Sequence, residues 1–195
     1  MNNRKRTIII VAIILGSIII SLIANLSISL IQKISYPIKY QELVEKYAHE
    51  YNVPEYVIYA VIDTESGFDP NAKSTEGALG LMKMPSSIFR YISSDEHLNE
   101  DTDFEDLTDP ETAIRYGTYY LRHLFNQFHK WSVVFAAYNA GENQVTDWLY
   151  DERYSNDGET LKKIPIRETR SYVSKVNKAL EYYKNTYYRN GVSVK

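Results

Sequence analysis

The stretch that decides the fold of this chain lies at residues 57–70 and reads VIYAVIDTESGFDP. Its apolar residues recur at helical spacing and predict one buried helix face, which continues onto Glu65 in the last turn. Gly67 and Pro70 follow at once and predict the end of the helix. Partial burial and the negative end of the helix dipole both disfavour ionisation of a carboxyl group placed there. Glu65 is therefore a candidate general acid, although an ordinary helix-end glutamate would turn into solvent.

The beginning of the chain differs in composition from the rest. Arg4, Lys5 and Arg6 precede an uncharged run at residues 7–32 that is rich in Ile and Leu. As a helix this run would be about 39 Å long, enough to cross a hydrocarbon core of roughly 30 Å. It is longer than the apolar region of a secretory signal and carries no clear cleavage pattern. We therefore expect an uncleaved transmembrane signal anchor, with the three cations in the cytoplasm and the following domain outside.

The composition divides the chain into five segments. We expect a cytoplasmic N-terminus (1–6), a transmembrane signal anchor (7–32), a linker (33–39), a folded domain (40–188) and a tail (189–195). Within the domain, apolar residues follow helical spacing and no segment shows sustained period-two alternation. The fold class is therefore predicted to be all-α, with one transmembrane helix in front of the helical domain.

Charge and residue usage exclude several classes of function. From residue 33 onward, 19 Lys and Arg stand against 25 Asp and Glu, a net charge of −6, so nucleic acid is not an expected partner. Cysteine is absent, which excludes disulfides and thiolate metal sites. The four histidines lack metal-ligand spacing, and the acidic run 101–105 is not followed by the Gly and Glu of a calcium loop. We therefore expect neither a metal nor a cofactor.

Four short motifs follow one another along the domain. They read ESGF at 65–68, GALGLM at 77–82, AYNAG at 137–141 and IPIRETRSYV at 164–173. In this order they resemble the catalytic domain of the soluble-lytic-transglycosylase (SLT) type, which is related to goose-type lysozyme. The resemblance covers roughly residues 40–185 of the chain. It implies a lysozyme-like, all-α fold with a long groove that binds peptidoglycan glycan strands.

The resemblance also implies a mechanism that needs one carboxylic acid and no cofactor. Glu65 would protonate the oxygen between N-acetylmuramic acid and N-acetylglucosamine, and would then accept the proton of the sugar's own 6-hydroxyl as that group attacks the anomeric carbon. The product is a 1,6-anhydro sugar, and no water is consumed. Tyr172 would lie beside the reacting centre as the second catalytic residue. Ser66 would orient Glu65, Met82 would pack against a sugar, and the remaining implied substrate-binding residues are Tyr138, Asn139 and Glu168.

One departure from the family pattern lies in the loop at residues 80–85, which reads GLMKMP. The family usually continues Gly-Leu-Met with Gln, two more residues and then Pro. Either Lys83 replaces that Gln next to a deletion, or the Gln itself is lost. The resemblance, together with the apolar N-terminal run, implies a membrane-anchored lytic transglycosylase acting on the outer side of the cell membrane. The alternatives are a hydrolytic, lysozyme-like muramidase and a non-catalytic peptidoglycan-binding scaffold module.

Overall fold

The computed structural model describes residues 3–94, 98, 102–189 and 192–193. It divides into two units, Met1–Pro37 and Ile38–Lys195. The first unit contains helix α1 (Asn3–Ser35), which includes the whole run predicted to form the anchor. Among the described residues, however, no helix combines the length and the apolar character that crossing a membrane requires.

The second unit is mainly helical, which confirms the predicted fold class for the domain. Its described helices are α2 (Gln41–Tyr51), α3 (Glu55–Ser66), α4 (Ser86–Ser93), a 3-10 helix (Phe104–Thr108), α5 (Pro110–Phe128), α6 (Trp131–Ala140), α7 (Glu142–Tyr150) and α8 (Arg167–Tyr187). The acidic segment before the 3-10 helix includes residues 95–97 and 99–101, which lie outside the described residues.

A short antiparallel hairpin follows α8 and was not predicted. It consists of β1 (Tyr188–Arg189) and β2 (Val192–Ser193). The hairpin begins at a tyrosine that is held in the domain, because the Tyr188 hydroxyl donates to the Glu55 carboxylate at 2.8 Å and its ring packs against Tyr56. The hairpin therefore crosses the expected boundary between domain and tail at residue 188. The other residues of the predicted tail 189–195 lie outside the described part.

Helix α3 lies at the centre of the domain. The sequence predicted a single apolar face, but all six residues from Val57 to Ile62 are buried. The physical reason is that α3 packs against both α2 and α8, so little of its surface meets solvent. Tyr59 stacks on Tyr183 of α8 with ring centroids 5.4 Å apart. This packing fixes the position of the C-terminal end of α3.

The loop between α3 and α4 forms a tight turn. Leu79 and Met84 exchange two backbone hydrogen bonds, of 3.0 and 2.9 Å, and so form an isolated antiparallel bridge. Inside it, the Lys83 N–H donates to the Gly80 carbonyl oxygen at 3.1 Å. Lys83 adopts a left-handed conformation with φ of 42°. The turn holds this lysine in a defined place on the domain surface.

Candidate functional site

Glu65 lies in the last turn of α3 and is half-buried. The helix ends directly after it, because Gly67 adopts a left-handed conformation with φ of 59° and donates its N–H to the Asp63 carbonyl oxygen at 3.1 Å. Glu65 thus lies at the C-terminal end of a helix, as the sequence predicted.

Ser66 uses its hydroxyl group to stabilise the end of α3. Its Oγ donates to the Ile62 carbonyl oxygen and accepts from the Phe68 N–H, each at 3.1 Å. Ser66 is not among the residues that line the cavity beside Glu65. Its predicted orienting role would therefore act through the turn that follows Glu65, and its contact with a substrate stays a prediction.

A cavity of about 1160 Å³ opens beside Glu65. It exceeds the roughly 300–1,000 Å³ of ordinary small-molecule pockets, so it has room for an extended ligand. Four parts of the domain form its walls, namely the C-terminal end of α3, the loop before α4, the C-terminal end of α6 and the first turns of α8. The lining residues are Thr64, Glu65, Lys73, Ser74, Thr75, Glu76, Ala78, Lys83, Pro85, Tyr138, Asn139, Ala140, Ile166, Arg167, Glu168, Thr169, Ser171, Tyr172 and Lys175.

The environment of Glu65 favours the protonated carboxyl group near neutral pH. Burial raises the pKa of Glu65 to about 7, while the Tyr172 hydroxyl group and the positive charge of Lys83 act in the opposite direction. Burial therefore outweighs the two stabilising neighbours, since removal from water penalises the charged form. A group with this pKa is balanced between donating and accepting a proton at pH 7.

Tyr172 lies on α8 and faces the carboxyl group of Glu65. Its side chain is 8% exposed, and its hydroxyl group is buried without a hydrogen bond of good geometry to any described residue. The hydroxyl is nevertheless close enough to lower the pKa of Glu65. Burial, followed by the charge of Glu65, raises the pKa of Tyr172 well above its usual value, so the phenol is neutral. The site thus holds an unused O–H donor next to its acid.

Tyr138 and Met82 are joined by a hydrogen bond, in which the Tyr138 hydroxyl donates to the Met82 carbonyl oxygen at 2.8 Å. The Tyr138 ring lines the cavity and packs at a tilt against Tyr120, with centroids 5.5 Å apart. Burial raises the pKa of Tyr138 well above its usual value, so this phenol is also neutral. The hydrogen bond ties the end of α6 to the turn that carries Lys83.

The prediction that the Met82 side chain packs against a sugar is wrong for this conformation. Met82 is 1% exposed and does not line the cavity. Its side chain instead packs over Gly117 of α5, where an added Cβ would overlap the Met82 sulfur atom. Only the absence of a side chain at Gly117 leaves this space, and the methionine fills it as part of the core.

Asn139 and Glu168 both line the cavity and are both exposed. Asn139 lies near the end of α6, and Glu168 lies in the first turn of α8, where a carboxylate interacts favourably with the helix dipole. The structure therefore brings Glu65, Tyr138, Asn139, Glu168 and Tyr172 to one cavity. Their contacts with a substrate remain predictions.

The sequence analysis missed a set of cations around this cavity. The lining includes Lys73, Lys83, Arg167 and Lys175. They come from the loop after α3, the turn before α4 and two positions on α8, so no run of basic residues marks them in the sequence. A weak signal existed in the loop 80–85, where Lys83 follows Gly-Leu-Met and the usual Gln is either replaced by this lysine or lost.

Two further carboxylates near Glu65 in sequence do not line the cavity. Asp63 is half-buried, and burial raises its pKa to about 6, while Asp69 accepts a hydrogen bond from the Asn71 N–H at 2.9 Å. Within the described residues, no group of three or more His, Asp or Glu side chains could hold a metal ion.

Comparison with known proteins identifies related sequences. Residues 42–162 match the family model of the transglycosylase SLT domain. The chain is 32% identical over 151 residues to the soluble lytic murein transglycosylase of Escherichia coli (strain K12), and the aligned region covers 76% of this chain and 23% of that protein. It is 33% identical over 167 residues to the membrane-bound lytic murein transglycosylase C of Pectobacterium atrosepticum, and this alignment covers 75% of this chain and 47% of that protein. The chain spans less than half the length of either relative.

The fold is also similar to a solved structure. The lytic transglycosylase Slt from Pseudomonas aeruginosa, solved as an inactive mutant with a glutamate replaced by glutamine, is 27% identical with a TM-score of 0.70. That alignment covers 82% of this chain and 26% of the other. Because the family model matches more than half of the residues, and the helical domain has the same fold, this chain belongs to the transglycosylase SLT domain family.

Proposed function

We propose that this protein is a lytic transglycosylase that cleaves the β-1,4 bond between N-acetylmuramic acid and N-acetylglucosamine in peptidoglycan. The observation that carries the proposal is the half-buried Glu65 carboxyl group, with a pKa of about 7, at the wall of a large cavity. The matched relatives are named murein transglycosylases, which supports the same class of reaction for the shared domain.

The proposed reaction uses Glu65 first as an acid and then as a base. Protonated Glu65 donates its proton to the glycosidic oxygen, and the bond from that oxygen to the anomeric carbon of the muramyl unit breaks. The 6-hydroxyl of the same unit then attacks the anomeric carbon, and the Glu65 carboxylate accepts its proton. The nucleophile is already held on the substrate, which provides the rate advantage of an intramolecular reaction. Atoms balance without water, and Glu65 returns to its protonated form.

Tyr172 is proposed as the second catalytic residue. Its neutral, buried O–H lacks a good hydrogen bond among the described residues and lies beside Glu65. It can donate to the oxygen atoms that carry negative charge during proton transfer. Tyr138, Asn139 and Glu168 line the same cavity and are proposed to bind the glycan strand, while Ser66 fixes the turn after Glu65.

The test of this function is to identify the product. Purified full-length protein in detergent is incubated with peptidoglycan sacculi, and the released muropeptides are analysed by mass spectrometry. A lytic transglycosylase gives 1,6-anhydro-muramic acid ends, which are one water lighter than hydrolysed ends. Products that carry only reducing muramic acid ends would show a hydrolytic muramidase instead, and the absence of any cleavage would favour a peptidoglycan-binding scaffold.

The pH dependence follows from the pKa of Glu65. Because the first step needs the protonated carboxyl group and the pKa of Glu65 in the free protein is about 7, we expect kcat/KM to be highest below pH 6 and to fall as the pH rises through 7. Well above the pKa, kcat/KM should decrease about tenfold per pH unit. Initial rates of anhydro-muropeptide release between pH 5 and 9 measure this profile. A rate that instead increases through pH 7 would contradict a general-acid role.

We also propose that residues 7–32 anchor the protein in the cell membrane as a single-pass helix, with residues 1–6 in the cytoplasm. The linker 33–39 and the catalytic domain 40–188 would then lie on the outer side. The uncharged run and the preceding cations support this topology. On α1, apolar side chains such as Ile20, at 69%, are exposed. The relative from Pectobacterium atrosepticum is named membrane-bound, which agrees with a membrane location.

Two arginines in the middle of α1 should release the protein from the membrane. Each arginine at the centre of a membrane helix costs about 2.5–3.5 kcal/mol of insertion free energy, so Ile14→Arg with Ile18→Arg should abolish stable insertion. The matched control replaces the same two residues by leucine. Wild type and control should stay in the pellet after alkaline carbonate extraction, and protease added outside the cells should digest the domain. Release of the wild type by carbonate, or resistance of its domain to the external protease, would contradict this topology.

A further inference from the structure

The cavity beside Glu65 differs in charge from the rest of the chain. Four of its lining residues are cations, namely Lys73, Lys83, Arg167 and Lys175, against the carboxylates of Glu65, Glu76 and Glu168. When Glu65 is protonated, as its role as an acid requires, four positive charges face two negative charges. The whole chain carries a net charge of −3. An acidic protein thus presents a locally cationic cavity, which favours an anionic ligand.

The charged groups of the four cavity cations are not engaged in ion pairs within the described part of the chain. None of the four forms an ion pair, or a hydrogen bond through its charged group, with another residue that the structure describes. Lys73, Arg167 and Lys175 are exposed, so water solvates them, whereas Lys83 is half-buried. Glu65 is neutral when it acts as an acid, so an incoming anion would provide the counter-charge that the half-buried Lys83 then lacks.

The backbone holds Lys83 near the reacting centre. The bridge between Leu79 and Met84 and the left-handed conformation at Lys83 fix its Cα, and Tyr138 ties the same turn to α6 through the Met82 carbonyl oxygen. The charge of Lys83 is close enough to Glu65 to act on its carboxyl group. An anion that binds Lys83 would therefore lie in the same cavity as the glycosidic bond that Glu65 protonates.

We propose that Lys83 binds a carboxylate carried by the muramyl unit of the substrate, and that it makes the enzyme prefer strands with this negative charge. The inference rests on the proposed function, because it concerns the same cavity and substrate. The lactyl group of N-acetylmuramic acid is attached to the ring whose anomeric carbon reacts, so its substituents stay close to Glu65. The carboxylate has two possible sources: the free lactyl group of peptide-free strands, or the stem peptide attached to it.

The experiment compares charged and neutralised strands with the full-length protein in detergent. Peptide-free glycan strands are prepared with an amidase, and half are converted to neutral methylamides with carbodiimide and methylamine. Peptide-bearing strands, with their amines acetylated, are treated in the same way. The readout is the ratio of kcat/KM for the charged strand to that for its methylamide. This ratio cancels any effect of a variant on the protonation of Glu65, since that effect is common to both strands.

Wild type should cleave the charged strand with roughly fivefold higher kcat/KM than its methylamide, the gain expected for a partly exposed ion pair. A preference among peptide-free strands would identify the free lactyl group as the source of the carboxylate, and a preference among peptide-bearing strands would identify the stem peptide. Lys83→Gln should bring the ratio close to one, and Lys83→Arg, which keeps the charge, should retain most of it. The matched control is Lys130→Gln, an exposed lysine directly before α6 and outside the cavity lining, which should leave the ratio unchanged.

Two outcomes separate this inference from the proposed function. Cleavage with a ratio near one for both pairs of strands, or a preference that Lys83→Gln does not alter, would overturn the role of Lys83 and leave the enzyme activity standing. Binding of the same strands to the uncleaving Glu65→Gln variant is measured by titration calorimetry. Suppose that wild type cleaves no strand, but that Glu65→Gln binds charged strands about fivefold more tightly than their methylamides. If adding Lys83→Gln to this variant removes the difference in affinity, the carboxylate site stands and the proposed activity is wrong.

Discussion

Glu65→Gln is expected to lower kcat for peptidoglycan cleavage by about 10²–10⁴-fold, the usual contribution of a general acid and base. Glutamine keeps the shape of the side chain and can neither donate the proton to the glycosidic oxygen nor accept it from the 6-hydroxyl. KM should change little, because protonated Glu65 and glutamine are both neutral when the substrate binds. Rates of anhydro-muropeptide release at pH 6 measure the effect.

The matched control for this variant is Asp63→Asn on the same helix. Asp63 is also a half-buried carboxyl group with a pKa that burial raises, to about 6, but it does not line the cavity. Its neutral isostere should leave kcat within about twofold of wild type, since changes outside a site have small effects. If wild type and Glu65→Gln cleared sacculi at similar rates, the protein would be a scaffold with the fold of an enzyme. An equal loss in Asp63→Asn would show that Glu65 has no special role.

The position of Glu65 could be predicted from sequence because every signal for it is local. The apolar spacing, Gly67 and Pro70 together specify the helix, its buried side and its end within one short stretch. Burial of the whole run from Val57 to Ile62 could not be predicted in this way. It depends on α8, which packs on α3 from more than 100 residues further along the chain.

The site residues that sequence reasoning missed or misplaced depend on such long-range packing. Met82 belongs to a motif with an implied role in the groove, yet its side chain lies over Gly117 because that residue leaves the space. Lys73 and Lys175 face one cavity although they lie on different elements. Neither a helix period nor a local motif encodes these neighbours, so only the assembled fold reveals them.

Gly80→Ala should lower the free energy of unfolding by about 2–5 kcal/mol, and this is the largest stability effect we expect. A left-handed conformation costs an L-residue about 1–2 kcal/mol, and overpacking a filled site costs about 1–3 kcal/mol more. Gly80 has φ of 82°, and a Cβ there would overlap the Leu107 carbonyl oxygen and lie 3.0 Å from its carbon. These are backbone atoms of the 3-10 helix, so no rotamer change relieves the overlap. Urea unfolding of the full-length protein in detergent, followed by tryptophan fluorescence, measures the loss.

Gly77→Ala separates the two causes, because Gly77 lies in the same loop with φ of 84° and an added Cβ would meet no atom within 4 Å. It carries the conformational cost alone and should destabilise the domain by about 1–2 kcal/mol. The difference between the variants therefore measures the contact between Gly80 and Leu107. Equal losses would show that this contact does not hold the turn. A larger loss for Gly80→Ala, together with reduced preference for charged strands, would show that the glycine keeps Lys83 at the cavity, because both residues belong to one turn.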